Sequence, residues 1–525
     1  MFNTIRIIIG FIIFTLLIVI AILNSKKILR KILQIDNKTK IVLTIILLIS
    51  LLIRIFLSPH SHVMFNDEPE YMKVAINIIN LNETNYGKGI GWPILISPIF
   101  FIFGVNNYYP IYFNIFISIT SLILFFFLVQ EVTKNKKIAI TSTLILSLFP
   151  AHIRWSTSAE TTISSITLII LSLYFIFKHL NSTKNNKYNF IIAIILITFS
   201  SMIRIETIFL YLTLFIGMLY YKKINYKKIA IIAIAVLILT PEIYSIYTFQ
   251  TNVYQFAGID GEIHSFVLSN FFTRFKHGLV EFLSPTFFFS KFQPLIIGVL
   301  SLLGYVVATL NFKKNENLII LNSFFISVMV FYFSMGFNHF GDIGLYNKSR
   351  FYLNFHMITI ISASIAVYFI GNKISKIIKL KKRKYIEFIL IIIVALSFIP
   401  NLMILDRNLT GGGVVLKTIL PEFTKENIPE DYIIVLNEPI TLVTTNHNKI
   451  RTDNFLTEDY TYKNKKYVFL EDENCGDYYI SERFEMVFEN AMKNCNYIRN
   501  NYELELLTFI EYRDMKFNYY KIILT

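Results

Sequence analysis

The 525-residue sequence lacks the common motifs of soluble nucleotide chemistry. It contains no P-loop, no glycine-rich dinucleotide turn after a strand and no nucleophile elbow. Neither a repeat of fixed period nor a low-complexity segment stands out. Only two cysteines are present, and acidic residues are few, 35 against 50 basic residues. Cytosolic nucleotide chemistry is therefore not expected.

Apolar residues dominate the sequence. Mean hydropathy is +0.55 and 54% of the residues are hydrophobic, in runs longer than the core of a soluble protein needs. These runs predict an all-α polytopic membrane domain over residues 1–404 with about twelve transmembrane helices. The predicted spans are 5–23, 41–57, 108–130, 138–150, 161–178, 190–204, 206–220, 229–248, 294–312, 318–336, 353–371 and 386–404. The first run has no small-residue cleavage site, so we interpret it as a retained helix.

Positive charge in the short loops predicts the orientation in the membrane. The loop after the first span carries six basic residues between Lys26 and Lys40, against one acid, Asp36. Lysine and arginine accumulate in cytoplasmic loops, so this loop is predicted inside and the N-terminus outside. On this map all six inner loops are basic. The net charge of +15 therefore needs no nucleic-acid partner.

The segment 188–221 decides the number of spans. Its apolar run is too long for a single crossing, yet basic residues flank it on both sides, which predicts that both ends are cytoplasmic. Two short crossings with an outer turn at Arg204 and Glu206 satisfy both observations.

Residues 405–525 form a second predicted domain of different composition. Hydrophobic runs shorten there, and the segment holds 20 acidic and 14 basic residues. Apolar patterning predicts strands at 432–436, 467–470, 504–512 and 518–524, the last two as a hairpin, and a helix at 482–494. An outside N-terminus and an even number of crossings, twelve, place this small α/β domain on the extracytoplasmic side. Both cysteines, Cys475 and Cys495, lie in it and form either a disulfide or two unpaired thiols.

Three carboxylates follow the second span, in the run Asn66-Asp67-Glu68-Pro69-Glu70. Charged side chains at the edge of hydrocarbon are costly, so these acids are candidate site residues. Other polar residues gather at the outer ends of the predicted spans. They are Trp92, His152, Arg154, Glu160, Arg204, Glu206, Arg274, His277, Glu281, His339, Asp342, Lys348 and Arg350. This distribution predicts an outward-facing site for a charged substrate whose tail stays in lipid.

Four motifs follow one another at these outer ends. The first is the acidic pair Asp67 and Glu68 with the interfacial stretch from Gly91 to Gly104. The others are Phe149-Pro150 with Arg154 and Glu160, then Arg204-Ile205-Glu206, then Ser349-Arg350-Phe351-Tyr352. Together they resemble the GT-C membrane glycosyltransferases of protein mannosyltransferase and aminoarabinose transferase type, which often have Arg-Pro-Glu and Arg-Tyr at the last two places. The resemblance covers residues 41–404; the extra first span and the C-terminal domain leave the acceptor open.

The resemblance implies an enzyme that takes a sugar from a polyprenyl phosphate and passes it, with inversion, to a hydroxyl of a protein, lipid or glycan. Asp67 would act as the general base, with Glu68 orienting hydroxyl groups or sharing that role. Arg350 would hold the donor phosphate, because a guanidinium offers a bidentate fork to phosphate oxygens. His339 and Lys348 are secondary candidates for this contact.

Each assignment has a structural alternative. Asp67 and Glu68 alternatively cap a helix that begins near Pro69, since acids are favoured at helix starts. Arg350 alternatively extends to lipid headgroups. The remaining candidates are contacts to the sugar or phosphate, or else structural ion pairs; they are Arg204, Glu206, Arg154 and Glu160.

No cofactor is firmly indicated. His60 and His62 with Asp67 and Glu68 form a loop cluster that could bind a divalent cation, zinc or manganese, or the histidines could lie near headgroup phosphates. The competing functions are a lipid-linked saccharide flippase or transporter and a non-catalytic envelope-assembly subunit. Transporters place charges near the bilayer midplane, whereas the spans here are largely uncharged, which favours the enzyme. The expected location is the cytoplasmic membrane, with the site and the C-terminal domain on the outer face.

Overall fold

The computed structural model describes residues 2–57, 67–82, 87–106, 108–182, 187–246, 248, 294–310, 316–334, 345–377, 383–408, 420, 423–436, 447–451, 455, 465–471, 475, 485–512 and 515–523. Contacts divide the chain into two units. The first comprises Met1–His60, Asn77–Gly104 and Tyr108–Asn408, and the second comprises Ser61–Ile76, Val105–Asn107 and Leu409–Thr525. The second unit therefore includes the acidic segment near residue 67, which the sequence did not predict.

Helices build the first unit. In chain order the described helices are α1 Phe2–Leu33, α2 Asn37–Leu57, α3 Asp67–Ile79, α4 Gly91–Phe103, α5 Tyr108–Thr133, α6 Lys136–Leu148, α7 Pro150–Ser156, α8 Thr161–Leu180, α9 Lys187–Ile203, α10 Phe209–Tyr220, α11 Tyr226–Ile238, α12 Leu295–Leu310, α13 Glu316–Ser334, α14 Leu345–Ile377, α15 Arg383–Leu396 and α16 Ile399–Asn408. Most of α3 belongs to the second unit. α16 runs past residue 404, where the sequence placed the domain boundary.

Seven of the described helices are long and apolar enough to cross a membrane, or eight if the bent pair α6 and α7 is one span. The seven are Asn3–Asn24, Asn37–Leu57, Tyr108–Thr133, Thr161–Leu180, Tyr226–Ile246, His356–Ile377 and Tyr385–Met403. The multi-pass helical class is thus confirmed. The number of twelve stays a prediction, because the other predicted spans correspond to apolar helical stretches of 10–17 residues, at α9, α10, α12 and α13.

The predicted turn at Arg204 is confirmed. α9 ends at Ile203, Arg204 is extended (φ −143°, ψ 117°), and a 3₁₀ helix at Ile205–Ile208 leads into α10. The two helices contact each other, since Tyr211 OH donates to the backbone oxygen of Ile194 at 3.3 Å. Charge at both flanks of an apolar run therefore located the break correctly.

Polar contacts sort the helix ends into two groups. At one end the predicted inner loops meet one another, through Lys136 with Asp36, Lys137 with Glu387, Tyr188 with Asn24, and Lys223 with the carbonyls of His179 and Leu180. At the other end predicted outer segments meet, through Arg6 with Glu242, Arg6 with the Lys88 carbonyl, and Ser245 with Asn3. The grouping agrees with the alternation of inner and outer loops in the sequence map.

The second unit contains a five-stranded mixed sheet in the order β2-β1-β3-β5-β4. The strands are β1 Tyr432–Leu436, β2 Asn448–Arg451, β3 Lys466–Glu471, β4 Glu503–Tyr512 and β5 Met515–Ile523, and the helix α17 spans Glu485–Asn501. β2, β1 and β3 are parallel, whereas β3, β5 and β4 are antiparallel. The predicted strands and the final hairpin are confirmed within three residues. β2 was not predicted, because its four residues show no apolar alternation.

A disulfide joins Cys475 to Cys495 in α17, with Cα atoms 5.5 Å apart. Both cysteines are buried in a hydrophobic core that also contains Ile433, Tyr467 and Ile498. The bond therefore links α17 to the segment after β3 on one face of the sheet. It decides the question that the sequence left open.

Candidate active site

A break between α6 and α7 begins the region where several predicted site residues meet. α6 ends at Leu148, Phe149 is extended (φ −69°, ψ 116°), and Pro150 opens α7 with a bend of 59°. Proline lacks the amide hydrogen needed to continue the α6 ladder, while its fixed φ suits the first turn of a helix. The predicted span 138–150 ends at this bend, and α7 leads into a second turn before α8.

Side chains from neighbouring helices hold three consecutive carbonyl groups of the α7–α8 turn. Trp92 Nε1 in α4 donates to the oxygen of Ala159 at 2.8 Å. Asn114 Nδ2 in α5 donates to the oxygens of Ser158 and Glu160, at 2.7 Å and 2.8 Å. Because a buried carbonyl without a hydrogen bond is costly, these contacts fix the backbone around Glu160.

Glu160 occupies the N-cap position of α8. Its carboxylate Oε2 accepts the amide hydrogen of Thr161 at 3.3 Å, and its side chain is buried. A carboxylate is stabilised there by the helix dipole. Arg154, at the end of α7, is buried too, with its guanidinium 6.0 Å from the ring of Trp155. One turn thus carries a buried carboxylate and a buried guanidinium.

The break between α9 and α10 lies beside this turn. Arg204 forms an ion pair with Glu206, and their side chains are 9% and 7% exposed. Arg204 Nη1 also donates to Thr162 Oγ1 at 3.4 Å, in the first turn of α8. The two breaks therefore bring four predicted site residues into one region, with Arg154 and Glu160 on one side and the Arg204–Glu206 pair on the other.

The backbone just before α4 packs closely against the C-terminal end of α9. A Cβ on Gly89 would come within 2.3 Å of the carbonyl oxygen of Ile203, so no larger residue fits without moving backbone. The next residue, Ile90, donates its amide hydrogen to Glu242 Oε1 at 3.0 Å. Glu242 Oε2 lies 3.8 Å from Arg6 Nη1 in α1. The extra first helix thus helps to hold the segment that presents Trp92.

The structure places the other predicted residues as follows. Asp67 is the first residue of α3, and Glu68 is buried, with 1% of its side chain exposed. The catalytic and capping roles of Asp67 and Glu68 both stay predictions. Lys348 and Arg350 lie in the first two turns of α14. Their roles as phosphate contacts stay predictions.

Several predicted residues lie outside the described residues. They are His60, His62, Arg274, His277, Glu281, His339 and Asp342. Among the residues that the structure does describe, no group of three or more His, Cys, Asp or Glu could hold a metal ion. The metal hypothesis for the loop near residue 60 therefore stays a prediction.

Arg54 is a buried residue of this region that the sequence did not indicate as functional. Its side chain lies fully buried in α2, and Nη2 donates to His152 Nδ1 at 2.7 Å. The two residues are 98 positions apart, so no local motif joins them. The available signal was a single arginine inside an otherwise apolar span. Asn114, also unpredicted, looked like any polar residue within a helix.

One protein-family model matches part of the chain. Residues 88–244 match the family model of dolichyl-phosphate-mannose-protein mannosyltransferases. The matched segment contains the α7–α8 turn, the α9–α10 break and the side chains that hold them, including Trp92 and Asn114. No curated protein sequence gives a significant match to the chain.

Solved structures of membrane transferases share the fold at low sequence identity. Archaeal oligosaccharyltransferase AglB from Archaeoglobus fulgidus, in complex with an inhibitory peptide and a dolichol-phosphate, aligns with a TM-score of 0.52 at 14% identity, over 82% of this chain and 69% of that one. ArnT from Cupriavidus metallidurans in the apo state aligns with a TM-score of 0.55 at 10% identity, over 91% and 97%. ArnT bound to undecaprenyl phosphate gives 0.52 at 8% identity.

Proposed function

We propose that the chain is a GT-C membrane glycosyltransferase, which transfers a sugar from a polyprenyl phosphate to a hydroxyl group on the outer face of the membrane; the match to the mannosyltransferase family over residues 88–244 and the fold shared with AglB and ArnT support this. The observation that supports this most directly is the α7–α8 turn. Buried Glu160 and Arg154 lie in this turn, and Arg204 of the Arg204–Glu206 pair contacts Thr162, two residues after Glu160, inside the segment that matches the mannosyltransferase family. The similar AglB and ArnT structures contain dolichol-phosphate and undecaprenyl phosphate, which favours a lipid-phosphate donor.

The reaction is a displacement at the anomeric carbon. The acceptor oxygen forms a bond to that carbon while the bond to the phosphate oxygen breaks, so a single displacement inverts the configuration. Asp67 accepts the proton of the acceptor hydroxyl, and Glu68 orients hydroxyl groups. The departing lipid phosphate needs a cation, and Arg350 supplies it, with His339 and Lys348 as secondary contacts.

The α7–α8 turn suits recognition of the donor's polar part. A carboxylate accepts hydrogen bonds from sugar hydroxyls, and guanidinium groups donate to hydroxyl or phosphate oxygens. The backbone at Glu160 is held by Trp92 and Asn114, so little conformational entropy remains to be lost there when the donor binds. Arg204, paired with Glu206, extends the same polar region.

Twelve crossings and an extracytoplasmic site complete the proposal. The grouping of basic loops at one end of the helices supports an orientation with those loops in the cytoplasm. The α7–α8 turn, the α9–α10 break and residues 405–525 then face the outside of the cytoplasmic membrane. The acceptor is a protein, lipid or glycan of the cell envelope.

Transfer can be tested with purified protein in lipid nanodiscs. A panel of radiolabelled polyprenyl-phosphate sugars is offered with envelope extract, and labelled product is followed together with released polyprenyl phosphate. Asp67→Asn should lower the rate about 100- to 10,000-fold, because it removes the proton acceptor. The matched control is Asp431→Asn, at an exposed ion pair of the second unit, which should transfer normally. Chelation followed by addition of zinc or manganese tests the divalent-cation alternative.

The competing transport function gives a different result. Vesicles that contain the protein would move labelled lipid-linked sugar across the bilayer without consuming acceptor. Neither the wild type nor Asp67→Asn would form labelled transfer product. Transfer that survives intact in Asp67→Asn would make the base assignment wrong. A non-catalytic assembly subunit would show neither transfer nor transport.

A further inference from the structure

Arg54 is a buried cation that forms no ion pair in the part of the chain that the structure describes. Its Nη1 donates to the Ser50 carbonyl at 3.0 Å and contacts the Ser50 hydroxyl, and its Nη2 donates to His152 Nδ1. Among the described residues the Nε atom has no hydrogen-bond partner. An apolar residue of similar size is often at least as stabilising as a buried charge, so stability alone does not explain an arginine here.

The hydrogen bonds around His152 define its tautomer. Arg54 donates to Nδ1, so this nitrogen carries the lone pair and the neutral ring carries its hydrogen on Nε2. Nε2 lies 3.1 Å from Ser121 Oγ, whose own hydrogen is donated to the Ser118 carbonyl at 2.6 Å. His152 therefore donates to Ser121. All the bonds from Arg54 to Ser118 run in one direction, and all four side chains are fully buried.

This chain of hydrogen bonds joins four helices where α7 bends away from α6. Arg54 belongs to α2, Ser121 to α5 and His152 to α7. Arg54 Nη1 also reaches the carbonyl of Ser147 in the last turn of α6, at 3.4 Å. Carbonyls in the last turn of a helix lack partners within the helix, and a cation near them is favoured by the helix dipole. Arg54 thus binds the end of α6 and the start of α7 at once.

We propose that Arg54, His152 and Ser121 are positioning residues, which set the direction of α7 and so place Arg154 and Glu160 for the donor. His152 is the third residue of α7, and Arg154 follows it by two positions. The far side of the turn is fixed by Trp92 and Asn114, while the hydrogen-bonded chain fixes its near side. The role of the α7–α8 turn in placing the donor rests on the proposed function, but the effect of the three residues on α7 can be measured without any reaction.

The two tryptophans give a direct readout of this region. The sequence contains no others, and both are fully buried. Trp155 lies in α7, and Trp92 is bonded to Ala159 at the end of the turn. Selective excitation of tryptophan in the intact protein therefore reports the state of the turn without a label. Emission wavelength and quenching by acrylamide measure how well both indoles stay buried.

Four variants separate the parts of the chain. Arg54→Gln removes the charge and the fork that joins α6 to α7, and we expect red-shifted emission, stronger quenching and a kcat about 10- to 100-fold lower. Arg54→Lys keeps the charge near the α6 carbonyl and should recover part of both signals. His152→Asn keeps a hydrogen-bond acceptor for Arg54, and Ser121→Ala removes only the acceptor of His152. Both variants should change tryptophan emission and quenching in the same direction as Arg54→Gln, but less. These two milder variants test the chain even if Arg54→Gln fails to fold.

The matched control is Lys223→Gln. Lys223 Nζ also binds carbonyls at a helix end, those of His179 and Leu180 at 3.0 Å and 2.8 Å, but at the opposite end of the bundle. It should leave tryptophan emission and quenching unchanged. A positioning role further predicts that kcat falls more than KM changes, whereas a contact to the donor would weaken binding of polyprenyl phosphate itself.

The outcomes separate the possibilities. If Arg54→Gln and Ser121→Ala leave emission and quenching as in the wild type, the positioning role is wrong. Loss of polyprenyl-phosphate binding with unchanged fluorescence would also overturn it, by showing that Arg54 is an anion contact. If the wild-type protein transfers no sugar while the variants still shift the fluorescence, the proposed function fails and the positioning of α7 stands.

Discussion

The indole N–H of Trp92 donates a hydrogen bond to the carbonyl oxygen of Ala159, 2.8 Å away and 67 residues later in the chain. The contact joins the apolar helix α4 to the residue directly before Glu160. Trp92 is fully buried, and its ring stacks on Phe113 with centroids 6.1 Å apart. One side chain thus supplies both packing and a polar anchor for the turn, and the two contributions can be separated by mutation.

Trp92→Phe should keep the stacking and lose the hydrogen bond. The carbonyl of Ala159 would lose this donor, which costs about 1–3 kcal/mol in a buried site. We expect a lower thermal midpoint and a transfer rate reduced about tenfold or more, because the backbone beside Glu160 is less well fixed. Phe113→Leu is the control: it removes the stacking and keeps the hydrogen bond, so it should lower stability with little loss of rate per folded molecule.

Asn114→Asp should be more harmful than Asn114→Ala. The amide of Asn114 donates to the oxygens of Ser158 and Glu160, and its Oδ1 accepts from Ser164 at 3.1 Å. Aspartate has the same shape, but it would turn a carboxylate oxygen toward two carbonyl oxygens in a buried site. We expect the thermal midpoint to fall further in Asn114→Asp than in Asn114→Ala. Equal midpoints would show that the amide donor does not hold the turn.

Arg204 and Glu206 should be strongly coupled. Their side chains are almost buried, so removing one partner deletes an ion pair that water screens little, at a cost of about 3 kcal/mol. Arg204→Gln and Glu206→Gln should therefore each destabilise the protein, and the double variant should cost less than their sum. The exposed pair Lys521–Glu505 is the control and should show no measurable coupling. Additive effects at Arg204 and Glu206 would contradict a structural pair.

The disulfide should stabilise the second unit. Cys475 and Cys495 close a loop of 20 residues, and cross-linking a loop of this length contributes about 3 kcal/mol. Cys475→Ser with Cys495→Ser, or chemical reduction, should make residues 423–523 more sensitive to limited proteolysis in denaturant. Thiol titration of the unfolded wild-type protein checks the bond directly. Two reactive thiols without prior reduction would be incompatible with it.

The second unit should lose stability at alkaline pH through Tyr519. Burial raises the pKa of Tyr519, and its hydroxyl donates to Thr424 Oγ1 at 2.7 Å, since Thr424 already donates to the Leu420 carbonyl. Above the ordinary tyrosine pKa of about 10, the unfolded chain releases this proton while the folded chain keeps it. Stability is therefore full below pH 10 and falls as the pH rises further.

The comparison of wild type with Tyr519→Phe isolates this effect. Both proteins carry the same other tyrosines, so their general alkaline loss cancels. Limited proteolysis in denaturant at about pH 8 and about pH 11 should show a smaller loss in Tyr519→Phe than in the wild type. An equal loss in both proteins would mean that Tyr519 does not contribute.

Features that depend on neighbouring residues could be predicted from the sequence. Apolar length with flanking lysines located the break at Arg204, and the predicted span 138–150 ends where the chain bends before α7. Apolar alternation located the strands of the second unit, because side chains on a strand face alternately toward and away from a core. β2 was not predicted, because its residues, Asn448–Arg451, carry no such pattern.

Contacts between distant residues could not be predicted in this way. Arg54 and His152, or Trp92 and Ala159, are joined only when helices pack, and each residue alone has an ordinary local explanation. The burial of Glu68 is of the same kind, because an acid after an apolar span is equally consistent with water or with a packed site. Which polar group meets which is set by packing and by the cost of leaving a buried group unpaired.

The sequence by itself determined that this is a multi-pass helical membrane protein with a small α/β region at its C-terminal end, because hydrophobic length and the alternation of basic loops are local properties of the chain. Only the tertiary structure decided that Trp92 and Asn114 fix the backbone at Glu160 and that Arg54 ties α6 to α7. Those relationships arise from buried hydrogen bonds between helices far apart in sequence, which form because a buried polar group without a partner is costly.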